Sequence, residues 1–300
     1  MEEALGVCQD SAYRRIRGET ELSYSELRIL HNKFNLSMED IFGKQYEFIY
    51  MGVNITEQDN YIRQVKQLSD VLAGVNAAAD KEVYYTAQDI PLYYFTEYTD
   101  LLLFKLYVWS DAHHNMNISF NEFCNNIRKK EILPIFEQVS QSYINIPTTE
   151  IWTNQTVDKI LRPLDYYARI GIFDKKKTIF LLLNQLTDMM ATIRKYADNG
   201  YRGNAKVPFS LYNCSIDMEN NFILARKGNN AVSIIKVNNI ATCTTTLCND
   251  IEKWINSLIV KSTLISKISI KERHVFFQTI ENKIKNTIHN IELMDYYPNG

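Results

Sequence analysis

The residues best suited to chemistry lie in one short stretch, Gln9-Asp10-Ser11-Ala12-Tyr13-Arg14-Arg15-Ile16-Arg17. In a helix advancing about 100° per residue, Ala12 and Ile16 fall together on one side. Asp10, Tyr13, Arg14 and Arg17 fall on the opposite side. A small apolar face turned inward, and an outward face of hydrogen-bonding side chains, is the division that a helix in the DNA major groove needs. Arginine can bond guanine through two donors, glutamine pairs with adenine, and a carboxylate can accept from cytosine N4. The plainer alternative is a small helical bundle with a solvated arginine face.

The rest of the chain gives no comparable signal for catalysis. His113-His114 are adjacent, so they do not share a helix face, and no third ligand stands at metal spacing. The five cysteines (Cys8, Cys124, Cys214, Cys243 and Cys248) contain no C-x-x-C pair and read as reduced thiols of a cytoplasmic protein. The aromatic run with Tyr84, Tyr85, Tyr93, Tyr94, Phe95 and Tyr98 reads as core, with a ligand pocket as the alternative. Lys175-Lys176-Lys177 reads as a solvated helix start. There is no P-loop, G-x-G-x-x-G, H-E-x-x-H or G-x-S-x-G. The expectation is a non-enzyme with no cofactor and no metal.

Positioning the Gln9–Arg17 stretch requires short helices around it. Gly6 suits the end of a helix over 2–5, a second helix covers about 9–16, and Ser23-x-x-Glu26 is a capping box. That box opens a helix whose apolar positions Leu27, Leu30 and Phe34 recur at helical spacing. Ser37-x-x-Asp40 caps a further short helix with Ile41 and Phe42. An extended piece is expected at 46–51. Longer helices are expected at about 56–79, from Pro91 to about 112, and at 121–144, 148–170 and 175–198. Val83-Tyr84-Tyr85 is too short to assign. The period then changes: β-branched and aromatic runs at 207–215, 221–225, 231–237 and 240–245, parted by turn residues, read as an antiparallel meander. Helices at 248–260 and 271–294 close the chain.

The expected class is therefore mainly α, with a helix-turn-helix remnant, a long helical region, and a small antiparallel β-meander with C-terminal helices (α+β). The chain has 300 residues and a net charge of −2, which excludes a uniformly basic coat for nucleic acid. Residues 1–45 hold 6 Lys+Arg against 8 Asp+Glu, so any DNA-binding surface must be local. No apolar run approaches the roughly 20 residues of a membrane span, and the acidic start at Met1-Glu2-Glu3 does not read as a signal peptide.

Residues 6–42 resemble the helix-turn-helix of the Cro/CI-like (xenobiotic-response-element) bacterial repressors. The matching signs are Leu5-Gly6-Val7 before the turn and Arg17-Gly18 after the recognition helix, then Leu22-Ser23-x-x-x-Leu27 and Phe34-Asn35-Leu36-Ser37-x-x-x-Ile41-Phe42. The resemblance implies that Gln9 and Asp10 stand at the first base-contacting positions. Tyr13 and Arg14 stand at groove-facing positions one turn later, and Arg17 near a phosphate. Ser11 would donate to a phosphate from the start of the helix. Ile16 departs from the family pattern, which places its apolar residue one position earlier, so a rotated recognition helix is the alternative. The resemblance begins inside the family's second helix. The expectation is an incomplete domain, with Leu5, Ala12 and Leu30 partly exposed or covered by another part of the protein or a second chain.

The resemblance implies a dimeric, sequence-specific transcriptional regulator acting on double-stranded DNA. One helix-turn-helix reads too few base pairs alone, and pairing puts two recognition helices about one DNA turn apart. The expected division is 1–45 for DNA binding, 46–200 as a helical dimerisation or sensor region, and 201–300 as meander plus helices receiving an effector or protein partner. The alternative function is a protein-interaction scaffold with a degenerate helix-turn-helix.

Overall fold

The computed structural model describes residues 1–34, 49–50, 58–114, 116–128, 133–216, 218, 221–227, 230–235, 240–242 and 245–295. The expected helix near Ile41 and the thiol of Cys243 lie outside these residues. The chain opens with three short helices, α1 (Glu2–Leu5), α2 (Gln9–Ile16) and α3 (Tyr24–Phe34). A two-residue strand β1 (Ile49–Tyr50) and helix α4 (Gln58–Asn76) follow. Strand β2 (Lys81–Ala87) leads into a 3-10 turn (Leu92–Glu97) and helices α5 (Thr99–His114), α6 (Phe120–Arg128) and α7 (Leu133–Ile144). Then come β3 (Thr148–Trp152), α8 (Asp158–Arg169), α9 (Lys176–Asn199), β4 (Tyr201–Arg202) and β5 (Val207–Cys214). The chain closes with β6 (Phe222–Lys227), β7 (Asn230–Ile235), β8 (Ile240–Thr242), α10 (Thr245–Val260), β9 (Ser262–Leu264) and α11 (Ile270–Leu293).

The class is α+β, mostly helical, with one mixed sheet in the order β1-β8-β7-β6-β2-β3-β5-β4, and β9 pairs with β5. This corrects the expected purely antiparallel meander. Strands β6, β7 and β8 do form antiparallel hairpins. Strand β5 stands apart from them and pairs in parallel with β3, Thr148 opposite Phe209. Strand β3 pairs in parallel with β2, Val83 opposite Thr148, and β2 pairs antiparallel with β6.

Two pieces of sequence hid this arrangement. Val83-Tyr84-Tyr85 is the middle of β2, and residues 148–152, expected as helix, are β3, buried at every position. Parallel strands covered on both faces show no polar alternation, so they cannot be told from buried helix by pattern alone. The expected division at residue 200 runs through this sheet, because β2 and β3 pair with β5 and β6 across it. The expected helix over 121–144 is two helices. Pro134 sits in the first turn of the second, where its missing N–H is harmless.

Side-chain alternation along the strands sorts the core into two layers. Val83, Tyr85, Ala87, Trp152, Ile223 and Ala225 face a large core built with helices α4 to α9 and α11. Tyr84, Ile151 and Leu224 face a smaller one, closed by Cys248, Ile251, Ile255 and Leu258 of α10. Neither layer includes a residue of α1, α2 or α3.

Apart from Tyr84, which faces the smaller layer, the aromatic run lies in the large layer, with Tyr93, Tyr94 and Phe95 all buried. There it surrounds a charged pair. The hydroxyls of Tyr94 and Tyr143 donate to Glu150 Oε1 at 2.7 and 2.6 Å, and Trp152 Nε1 donates to Glu150 Oε2 at 2.8 Å. Arg202 Nη1 lies 3.7 Å from Glu150 Oε1, and both side chains are 0% exposed. The guanidinium lies over the rings of Tyr143 and Phe209, at 4.7 and 5.2 Å. Its Nη2 donates to the carbonyl of Ile146 at 2.9 Å. Burial pushes the Glu150 carboxyl up, and the guanidinium and the three donors pull it back.

Candidate nucleic-acid interface

Two glycines shape the α2 hairpin. Gly6 takes the left-handed conformation (φ 64°) that ends α1, and the chain re-enters a helix at Gln9, after an extended Cys8. Gly18 (φ 72°) ends α2 in a Schellman motif: the Glu19 N–H bonds the Arg14 carbonyl at 2.9 Å, and the Gly18 N–H bonds the Arg15 carbonyl at 3.1 Å. A side chain at Gly18 would strain this turn.

The capping box forms as the sequence predicts. The Ser23 N–H donates to Glu26 Oε2 at 2.8 Å, and the Glu26 N–H donates to Ser23 Oγ at 3.3 Å. The other carboxylate oxygen of Glu26 takes Arg15, with Nη2 at 2.9 Å and Nε at 3.1 Å. Arg15 also donates from Nη1 to the Ser11 carbonyl at 3.1 Å. One carboxylate therefore caps α3 and ties α2 to it.

This tie decides which way α2 faces. Ala12 is buried, and Arg15 and Ser11 flank it half-buried, while Ile16 is 62% exposed. The expectation that Ile16 packs inward with Ala12 is corrected: the inward face is rotated toward Arg15, whose stem lies along the helix pair while its head bonds Glu26. Gln9, Asp10, Tyr13, Arg14 and Arg17 are exposed along one side of α2. Ser11 turns to the flank, where the Cys8 thiol lies 3.3 Å from its hydroxyl. Leu30 is buried with Ala12 within this chain, Leu5 is half-buried, and α1 packs on α3. Apolar residues are also exposed on these helices: Ile29 at 40% and Phe34 at 50% on α3, besides Ile16 on α2.

The Schellman turn also places a residue that the pattern of α2 did not include. Glu19 Oε1 lies 2.9 Å from Arg17 Nε, and Glu19 Oε2 lies 3.7 Å from Arg14 Nε. Both exposed guanidinium groups of the face thus share one carboxylate. A glutamate directly after Arg17-Gly18 was the available signal, since the turn folds that position back over the last helical turn.

Hydrogen bonds from the Ser23 amide and hydroxyl, joined by Arg15, hold the Glu26 carboxyl below its usual range. A lowered folded-state value stabilises the helices above the ordinary carboxylate pKa, and that stabilisation fades as pH falls through the lowered value. Hydrogen-exchange protection of α2 and α3 should therefore drop on acidification below about pH 4.3. Glu26→Gln should show reduced protection already at neutral pH. Equal protection of both proteins across the titration would mean that Glu26 does not join the helices.

No family model, curated protein or solved structure matches this chain. Among the described residues no group of His, Cys, Asp and Glu could hold a metal ion. Among the described residues, no helix is long and apolar enough to cross a membrane. Cys124, Cys214 and Cys248 are buried, and Cys8 is exposed.

Proposed function

We propose that the chain is a sequence-specific DNA-binding regulator whose helix α2 enters the major groove of double-stranded DNA. The observation that carries this reading is the single exposed row Gln9, Asp10, Tyr13, Arg14 and Arg17 on a helix fixed to its neighbour by the Arg15–Glu26 pair. Gln9 and Arg14 supply base-reading donors, Asp10 can accept from cytosine, and Arg17 at the helix end meets a phosphate. Ser11, half-buried on the flank, is left with at most a backbone contact to DNA. The larger sheet-and-helix part would hold two copies together and receive an effector.

Selection of bound duplexes from a random pool by the full chain tests this. One enriched motif is expected, with affinity falling steeply as salt rises and with Gln9→Ala relaxing the preference at one position. No enrichment, with Gln9→Ala indistinguishable from the parent, would discard it. A second reading, docking of α2 and α3 on a protein, is favoured by the exposed Ile16, Ile29 and Phe34. It expects Ile16→Ser and Phe34→Ser, rather than Gln9→Ala, to abolish partner binding.

A further inference from the structure

The parallel strands β2, β3 and β5 end on the same rim of the sheet, and in open sheets of this kind the crevice beyond the carboxyl ends is where ligands sit. A cleft of about 550 Å³ opens there, which is within the usual range for small-molecule sites. Its walls come from Gln88 and Thr153, directly after β2 and β3, from Met218, four residues beyond the end of β5, and from the start of α8 with Lys159, Arg162 and Pro163. Cross-links hold the rim. Thr156 Oγ1 donates to the Ala87 carbonyl at 2.7 Å and accepts from the Thr153 N–H at 3.1 Å. The Gln88 N–H donates to Asn221 Oδ1 at 2.7 Å, and the Gln88 side-chain amide donates to the Met218 carbonyl.

The charges of the cleft are unevenly used. Asp158 is already matched by Lys283, whose Nζ lies 2.9 Å from each of its oxygens. Arg162 comes only to 3.9 Å of Asp158 and is 81% exposed, and Lys159 pairs with no described carboxylate. These two cations stand three residues apart, on one face of α8.

We propose that this cleft binds a small phosphorylated metabolite, with Lys159 and Arg162 on its phosphate and Thr153 and the side-chain amides of Gln88 and Gln155 on its polar body. A guanidinium beside an ammonium matches a phosphate dianion in both charge and donor geometry. Among the described residues no aromatic ring lines the cleft to stack a base, so a sugar phosphate suits it better than a nucleotide. This site is independent of the DNA reading.

The test is calorimetric titration of the full chain with ribose 5-phosphate and with inorganic pyrophosphate, at constant ionic strength. Saturable binding of at least one probe is expected, weakened at least about tenfold in Lys159→Ala/Arg162→Ala. Both residues are exposed, so the double variant should keep the parent's melting temperature, and binding by Arg194→Ala, a residue of α9 outside the cleft lining, should match the parent. No saturable heat with either probe, or equal binding by the double variant, would overturn the proposal.

Discussion

Arg202→Met should lower the unfolding free energy by about 3–5 kcal/mol, because it leaves the Glu150 carboxylate buried without its cation. For a chain of this size that is a fall in melting temperature on the order of 10 °C. Glu150 keeps its three donors from Tyr94, Tyr143 and Trp152, but those alone do not neutralise a charge out of water. The guanidinium also lies over two aromatic rings, so part of the loss comes from its replacement by a smaller apolar group there. Adding Glu150→Gln to Arg202→Met removes the orphaned charge, and the double variant should be more stable than the two single losses add up to. A melting temperature for Arg202→Met within about 2 °C of the parent would show that the pair does not hold the sheet to α7.

Glu19 gives the second large expectation, since it makes opposite substitutions move DNA affinity in opposite directions. Arg14→Ala should weaken specific duplex binding by about 1–3 kcal/mol and relax the preference at one base position. Glu19→Gln should strengthen binding several-fold at low salt, because Arg14 and Arg17 no longer share a carboxylate and one negative charge leaves the face proposed to meet the phosphates. Exposed pairs of this kind are individually weak, so the gain should come mostly from the removed repulsion and should shrink as salt screens it. Fluorescence anisotropy across a salt series separates the terms. If Glu19→Gln and Arg14→Ala shift affinity in the same direction, α2 does not face the duplex.

What was legible in the sequence was local. The left-handed end at Gly6, the Ser23–Glu26 box, the stop at Gly18 and the hairpins of β6, β7 and β8 each depend on residues within a few positions of one another. Their physics is therefore written in short spacings. The outward set Asp10, Tyr13, Arg14 and Arg17 was legible for the same reason, because helical period alone puts them on one side; Gln9 came only from the family resemblance.

The rest depended on partners distant in sequence. Ile16 is exposed because Glu26, eleven residues beyond Arg15, pulls that arginine onto α3 and turns the helix. A hydrophobicity pattern ranks isoleucine above arginine for the inward face and cannot see the ion pair. Strands β2 and β3 carry no periodic signature, because helices cover both faces, and only their pairing with β5 and β6 identifies them. Glu150 looked like an ordinary charged residue until the fold brought Arg202, 52 positions later, against it. The cleft is likewise a product of topology: Gln88, Thr153 and Met218 follow three different strands and meet only because those strands run parallel. Sequence determined the short elements and the face of α2. Tertiary structure decided the sheet order, the rotation of that face and the place of every buried charge, because those energies arise between residues that only folding makes neighbours.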